Sequence, residues 1–172
     1  MRYQLYREQQ LHCDIETAWR FFSSPANLAK ITPGDMNFVT LPGYKHEEIF
    51  EGMIIDYTVS PILKIPLKWR TRISQVQLNR SFTDFQEKGP YKYWNHYHEF
   101  IPNKEGVLMK DTVEYELPFG ILGSIAHRVF VKKKLADIFD FRYGVLERLF
   151  YRSKNSKGVD RASDEKPLLS GD

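Results

Sequence analysis

The sequence predicts an α+β fold: a strongly curved antiparallel sheet of about seven strands wrapped around one long C-terminal helix, with two short helices after the first strand. Three observations carry this. For about eighty residues after Gly34 the chain is rich in β-branched and aromatic side chains, broken by LPGYK, FEGM, SPILKIP, QLNRS, EKGPY and PNKEG, the texture of strands joined by turns. Residues 121–150 then run without a proline and place apolar side chains every three or four positions, as a helix does. A curved sheet leaves one concave face open, and this last helix is long enough to cover it, so a cavity is expected between the two.

The elements follow in order. RYQLYREQQLH alternates Tyr3, Leu5 and Leu11 with polar neighbours and reads as the first strand. Asp14 then stands as N-cap before IETAWRFF, where Ile15, Ala18, Trp19 and Phe22 recur at helical spacing. SSPANLAKITPG repeats the logic, with Pro25 at a helix start and Pro33-Gly34 as its stop. Strands are predicted at 36–50, with a break near Pro42-Gly43, and at 53–60, 67–77, 80–88, 91–101 and 106–117. LPFG at 117–120 ends the sheet, and Gly144 is the weak point of the helix that follows. Residues 1–150 therefore form one domain. Residues 151–172, polar and mixed in charge, read as a disordered tail.

At 172 residues the chain can bury a core without a disulfide or structural metal, and its lone Cys13 suits a reducing compartment. The N-terminus MRYQLYREQQLHCDIE lacks the apolar run of a signal peptide, and charge interrupts every later hydrophobic stretch, so a soluble cytoplasmic protein is expected. A net charge of +3, from 25 basic and 22 acidic residues scattered along the chain, argues against a nucleic-acid partner. The aromatic content of 15% fits a large core or a cavity walled with rigid apolar plates.

Alternation assigns inner faces. In 106–117, Val107, Met109, Val113, Tyr115 and Leu117 share a face with Asp111, which places a carboxylate on an oily wall where it must pair or protonate. Trp69, Thr71 and Ile73 point inward from 67–77, and Met53, Ile55, Tyr57 and Val59 from 53–60. On the long helix, Arg142 falls within the arc of Leu135, Ile138, Phe139, Val145, Leu146 and Leu149. An inward guanidinium keeps its charge and needs Asp111, Asp84 or an anionic ligand. The segment YKYWNHYHEF resists the test, because Trp94, His96, His98 and Phe100 oppose Tyr91, Tyr93, Asn95, Tyr97 and Glu99, and both faces are aromatic. SFTDFQE is equally ambiguous, with Phe82, Asp84 and Gln86 on one side and Thr83, Phe85 and Glu87 on the other.

Five stretches, AWRFFSSPANLAKITP, WRTRI, FTDFQEKGPYKYWNHYHEF, DTVEYELPFG and IFDFR, resemble the SRPBCC proteins, the START-like helix-grip superfamily, and within it the polyketide cyclase/dehydrase-like subgroup. The resemblance covers residues 3–150. In that subgroup the pattern F-x-D-x-Q-x-x-G-P precedes W-x-H-x-H-x-F, and both match here at Phe82, Asp84, Gln86, Gly89, Pro90, Trp94, His96, His98 and Phe100. The resemblance implies a helix-grip fold around a ligand cavity, with the Trp94, His96, His98 and Phe100 face turned inward. Relatives also occur fused to a short-chain-dehydrogenase-like epimerase domain. No second domain or internal repeat is read in this sequence.

Several chemistries compete for these residues. Binding without turnover of a small apolar or amphipathic molecule would use Tyr57, Trp69, Trp94 and Tyr115 for contact area. Asp84, Gln86, His96, His98, Asp111 and Arg142 would then orient a polar end. The alternative is an acid-base enzyme of cyclase/dehydrase type, with His96 paired to Asp84 or Asp111. A third reading has the histidines and aspartates satisfy only one another in an internal seam. His96 and His98 at i and i+2, with Asp84 or Asp111 as third ligand, also match metal spacing, but no Cys or Glu ligand motif accompanies them and no metal or other cofactor is expected. Lys132, Lys133 and Lys134 read as a solvated helix face, without membrane contact.

Overall fold

The computed structural model describes residues 1–41, 48–60 and 65–156. Its centre is a curved seven-stranded sheet in the order β1-β7-β6-β5-β4-β3-β2, every neighbouring pair antiparallel. The strands are β1 Arg2–Leu11, β2 Val39–Thr40, β3 Ile54–Val59, β4 Leu67–Gln77, β5 Ser81–Lys88, β6 Tyr93–Asn103 and β7 Gly106–Glu116. Between β1 and β2 lie α1 Ile15–Phe22 and α2 Pro25–Leu28, followed by two short 3-10 turns. Asp14 caps α1 by accepting the Thr17 backbone N–H at 2.7 Å. After β7 come α3 Gly120–Ala126, a π-helical turn at His127–Val131, and α4 Lys132–Ser156.

Three expectations need correction. The strand read at 36–50 shrinks to β2, because Met36 closes a 3-10 turn and is buried, and Asn37 takes a left-handed φ of 45° that interrupts extended chain. The break read near Pro42-Gly43 lies outside the described residues. The helix read over 121–150 is divided by the π turn at His127–Val131, yet α4 passes through Gly144 unbroken and reaches Ser156. The tail read from residue 151 is thus helical to 156, and its remainder lies outside the described residues.

The inward faces match the alternation. Val107, Met109, Asp111, Val113 and Tyr115 are all buried, as are Trp69, Thr71 and Ile73, and Met53, Ile55 and Val59. On β6 the buried side chains are Trp94, His96, His98 and Phe100. Arg142, on the inner face of α4, is 8% exposed. The core has two ends. At one, Trp19 of α1 packs edge-on against Phe82 and Phe100, with Val107, Met109, Leu146 and Phe150 around them. At the other, Trp69, Trp94, Val113 and Tyr115 of the sheet meet Leu135 and Phe139 of α4. Among the described residues no helix is long and apolar enough to cross a membrane.

Candidate functional site

A polar belt separates the two ends of the core. Along β6 the order is Trp94, then His96 and His98, then Phe100; along β7 it is Val113, then Asp111, then Met109; along α4 it is Phe139, then Arg142, then Leu146. Register makes the belt continuous, because Asp84 lies opposite His96 and His98 lies opposite Asp111 on adjacent strands. Each imidazole therefore stands between two carboxylates. His96 places Nε2 2.9 Å from Asp111 and Nδ1 3.5 Å from Asp84, while His98 donates from Nε2 to Asp84 at 3.1 Å. His98 Nδ1 lies 2.7 Å from Asp111, but out of line for a hydrogen bond. Arg142 closes the belt from above, its Nη2 3.8 Å from Asp111.

The charges balance by proximity. Burial alone would favour neutral His96, but Asp84 and Asp111 outweigh it and push the imidazole up to about 9. Burial likewise opposes ionisation of Asp111, yet the Arg142 charge and the two imidazoles hold it well below the usual carboxylate range. Asp84 is held low by His96 and His98 against the same penalty. Both carboxylates are thus held ionised by the cationic and imidazole groups packed against them.

This arrangement sets a pH profile. His96 is raised from 6.5 to about 9, so its contribution to stability is complete below pH 6.5 and is lost as pH climbs to 9. Asp84 and Asp111 are lowered, so theirs is present above about pH 4 and lost in acid. Unfolding free energy is expected to peak between those limits and to fall by roughly 2–4 kcal/mol across the alkaline limb. Urea denaturation as a function of pH measures this. His96→Gln should flatten the alkaline limb and shrink the acid one, because His96 helps to hold Asp84 and Asp111 low.

On the Trp94 side of the belt the core is hollow. A cavity of about 530 Å³ lies between the sheet, α4 and the segment from α2 to Met36. Tyr57, Trp69 and Trp94 form its sheet wall, Phe139 and Leu135 its helix wall, and Asp84, His96 and Arg142 its polar floor. Trp69 Nε1 and Arg142 Nε are buried without a hydrogen-bond partner among the described residues. A smaller void of about 90 Å³ lies beside the belt, lined in part by Phe22, Phe82 and His98.

Not every side chain assigned to the ligand reaches the cavity. Gln86 is spent on the next turn: its amide nitrogen donates to Tyr91 O at 2.7 Å and its oxygen accepts the Tyr91 N–H at 3.3 Å. Gly89 stands where any Cβ would overlap that amide, which explains the Q-x-x-G spacing. Tyr115 turns to His127, its hydroxyl 2.9 Å from Nε2. Asp111 and His98 lie behind the floor and act through His96 and Asp84. Tyr91 was assigned to the outer face, yet it lines the cavity with its ring 4.8 Å from Trp94. It precedes β6, so strand alternation does not govern it, and the Gln86 clamp swings it inward. Sequence reasoning also missed the lining side chains between Leu28 and Phe38, and Phe119, Leu122 and Phe130, on and beside α3, at the cavity mouth.

Asp84, His96 and His98 each offer one ligating atom, all within 4.8 Å of one another. Those atoms already contact one another, and the fixed charge of Arg142 stands across Asp111 from them. The donor set therefore fits a belt whose members hold one another better than a divalent cation.

No protein-family model and no curated protein sequence matches the chain. Solved structures do match in three dimensions. Ginseng major latex-like protein 151 from Panax ginseng superposes with a TM-score of 0.62 at 15% identity, over 87% of this chain and 97% of that one. Norcoclaurine synthase from Thalictrum flavum, in complex with dopamine and hydroxybenzaldehyde, gives 0.59 at 15% identity, over 86% and 88%. The nucleoside-diphosphate sugar epimerase from Corynebacterium glutamicum gives 0.62 at 21% identity, over 89% of this chain and 30% of that longer one. The likeness is one of fold: this chain is built on the helix-grip fold of the SRPBCC, Bet v1-like proteins.

Proposed function

We propose that the chain binds a small, mainly apolar molecule with one polar or anionic end, and does so without turnover. The observation that carries this reading is the cavity of about 530 Å³, with apolar and aromatic walls, a charged floor and, among the described residues, unpartnered donors on two of its lining side chains. Its volume lies within the roughly 300–1,000 Å³ range of small-molecule sites. An oxygen on the ligand would satisfy Trp69 Nε1 or the Arg142 guanidinium, and the apolar body would lie along Tyr57, Trp94 and Phe139.

The belt supports binding over acid-base work. A general base needs a free lone pair near neutral pH, and His96 has both nitrogens turned to carboxylates and a proton retained up to about pH 9. The catalytic alternative keeps one supporting feature, a protonated His96 beside a cavity-facing Asp84, an arrangement able to donate a proton to a carbonyl.

Native mass spectrometry of protein from its own host, followed by extraction of what co-purifies, is expected to reveal a bound small molecule. Adding that molecule to stripped protein should change tryptophan fluorescence through Trp69 and Trp94. Trp69→Phe/Trp94→Phe should abolish the change, with Trp19 in the packed end as an internal reference. Empty protein that also shows no thermal shift across a broad metabolite and lipid panel would defeat the reading. Turnover that His96→Gln removes while affinity stays within a few fold would transfer it to acid catalysis.

A further inference from the structure

The cavity mouth carries an apolar surface that the other described residues do not cover. Phe119 and Ile121 are each 81% exposed, Val129 76%, Leu122 72%, Ile125 55% and Phe130 42%. Ile121, Leu122, Ile125 and Val129 recur at i, i+1, i+4 and i+8, so α3 and the π turn present one continuous apolar face to solvent. Soluble surfaces rarely gather so many large apolar side chains in one stretch without a partner for them. Three of these, Phe119, Leu122 and Phe130, also line the cavity, so patch and cavity share a rim.

The charge carried by this segment itself has one sign. From Leu117 to Ala136 the chain holds no acidic residue and four basic ones, Arg128, Lys132, Lys133 and Lys134. Lys133 pairs with Asp137 and Lys134 with Asp35, whereas Arg128 and Lys132 make no ion pair among the described residues. The segment is held in place from behind. His127 stacks on Tyr3 with ring centroids 3.5 Å apart and meets the Tyr115 hydroxyl, while Gly123 lets α3 sit directly against Pro118, where any Cβ would collide with the Pro118 carbonyl.

We propose that α3 and the π turn form a docking face for an anionic lipid bilayer. Phe119, Ile121, Leu122 and Val129 enter the interface while Arg128 and Lys132 meet the headgroups. Apolar side chains beside unpaired cations are the chemistry of an interfacial helix. A second copy of this chain is the poorer occupant, because a two-fold contact through this face would gather the Arg128 and Lys132 charges of both copies at one apolar interface with no acidic residue of the segment to offset them. The inference deepens the ligand-binding reading, since it brings the mouth of the cavity to the phase in which an amphipathic ligand dissolves.

The test is sedimentation with vesicles of phosphatidylcholine alone and of phosphatidylcholine mixed with phosphatidylglycerol, at low and high salt, with analytical ultracentrifugation of the lipid-free protein alongside. Wild-type protein is expected to bind the mixed vesicles and to weaken with salt. Arg128→Gln/Lys132→Gln should lose about fivefold per cation removed, and Ile121→Ser/Val129→Ser at least tenfold. Neither Ile121 nor Val129 lines the cavity, so both pairs should keep cavity occupancy. No wild-type binding to either vesicle, equal binding by wild type and both variants, or a dimer that Ile121→Ser/Val129→Ser dissociates, would each overturn the proposal. The outcomes are separable from those of the binding reading, because vesicle sedimentation requires no cavity ligand and native mass spectrometry requires no vesicle.

Discussion

Asp111→Asn is expected to lower the unfolding free energy by about 3–5 kcal/mol, although it changes neither the volume nor the shape of the side chain. The reason is what remains behind. Asp111 is 5% exposed and stands 2.9 Å from His96, 2.7 Å from His98 and 3.8 Å from Arg142. With an amide there, Arg142 loses the carboxylate it pairs with, and His96 keeps only Asp84. His96 can escape by releasing its proton, but Arg142 cannot, and a buried unpaired guanidinium is the costly species. Two further results should follow. The alkaline limb of the stability profile should shrink, because His96 loses the carboxylate that accepts from Nε2. The pair Asp111→Asn/Arg142→Met should recover part of the loss, and the double-mutant cycle should give a coupling well above the roughly 0.3–0.5 kcal/mol scatter of independent sites. A cost below about 1 kcal/mol for Asp111→Asn would mean that the belt does not bear charge as described.

Much of this belt was legible in the sequence, for identifiable reasons. A strand with one wet face announces its inner side by alternation, which is how Asp111 was placed among Val107, Met109, Val113 and Tyr115. A helix does so by angle, which is how Arg142 was turned toward the sheet. β6 was different, because tyrosines occupy its outer face as densely as Trp94 and Phe100 occupy its inner one, and alternation is silent between two aromatic faces. The motif resemblance pointed to the inner face there, and burial agrees.

What was not legible depended on contacts between segments. Tyr91 could be placed only once Gln86 was seen to hold its backbone from both sides. Tyr115 was read as a ligand group, but His127, twelve residues on, claims its hydroxyl. The apolar periodicity of 121–131 marked a helical stripe correctly, yet a stripe carries no information on whether protein or solvent lies opposite. Gly34 to Thr40 failed for a local reason: β-branched and aromatic content resembled a strand, while the Pro-Gly and Asn positions favoured turns, and the turns prevailed.

The two ends of the concave face should differ as sharply in energetics as in packing. Phe100→Ala is expected to cost about 3–5 kcal/mol, because Phe100 is 1% exposed among Trp19, Phe22 and Phe82 and deletion leaves a hole that rigid neighbours cannot fill. Trp69→Ala removes a larger ring, yet should cost at most about 2 kcal/mol in ligand-free protein. Trp69 already faces a cavity, so few packing contacts are lost on that side, and its deletion removes a buried N–H that has no acceptor among the described residues. Urea denaturation of both variants measures the difference. A ligand that occupies the cavity stabilises the protein by an amount set by its concentration relative to its dissociation constant. Saturating ligand should therefore raise the cost of Trp69→Ala toward that of Phe100→Ala while leaving Phe100→Ala where it was. That convergence is what a fold with one end packed by its own side chains and the other completed by a bound molecule requires.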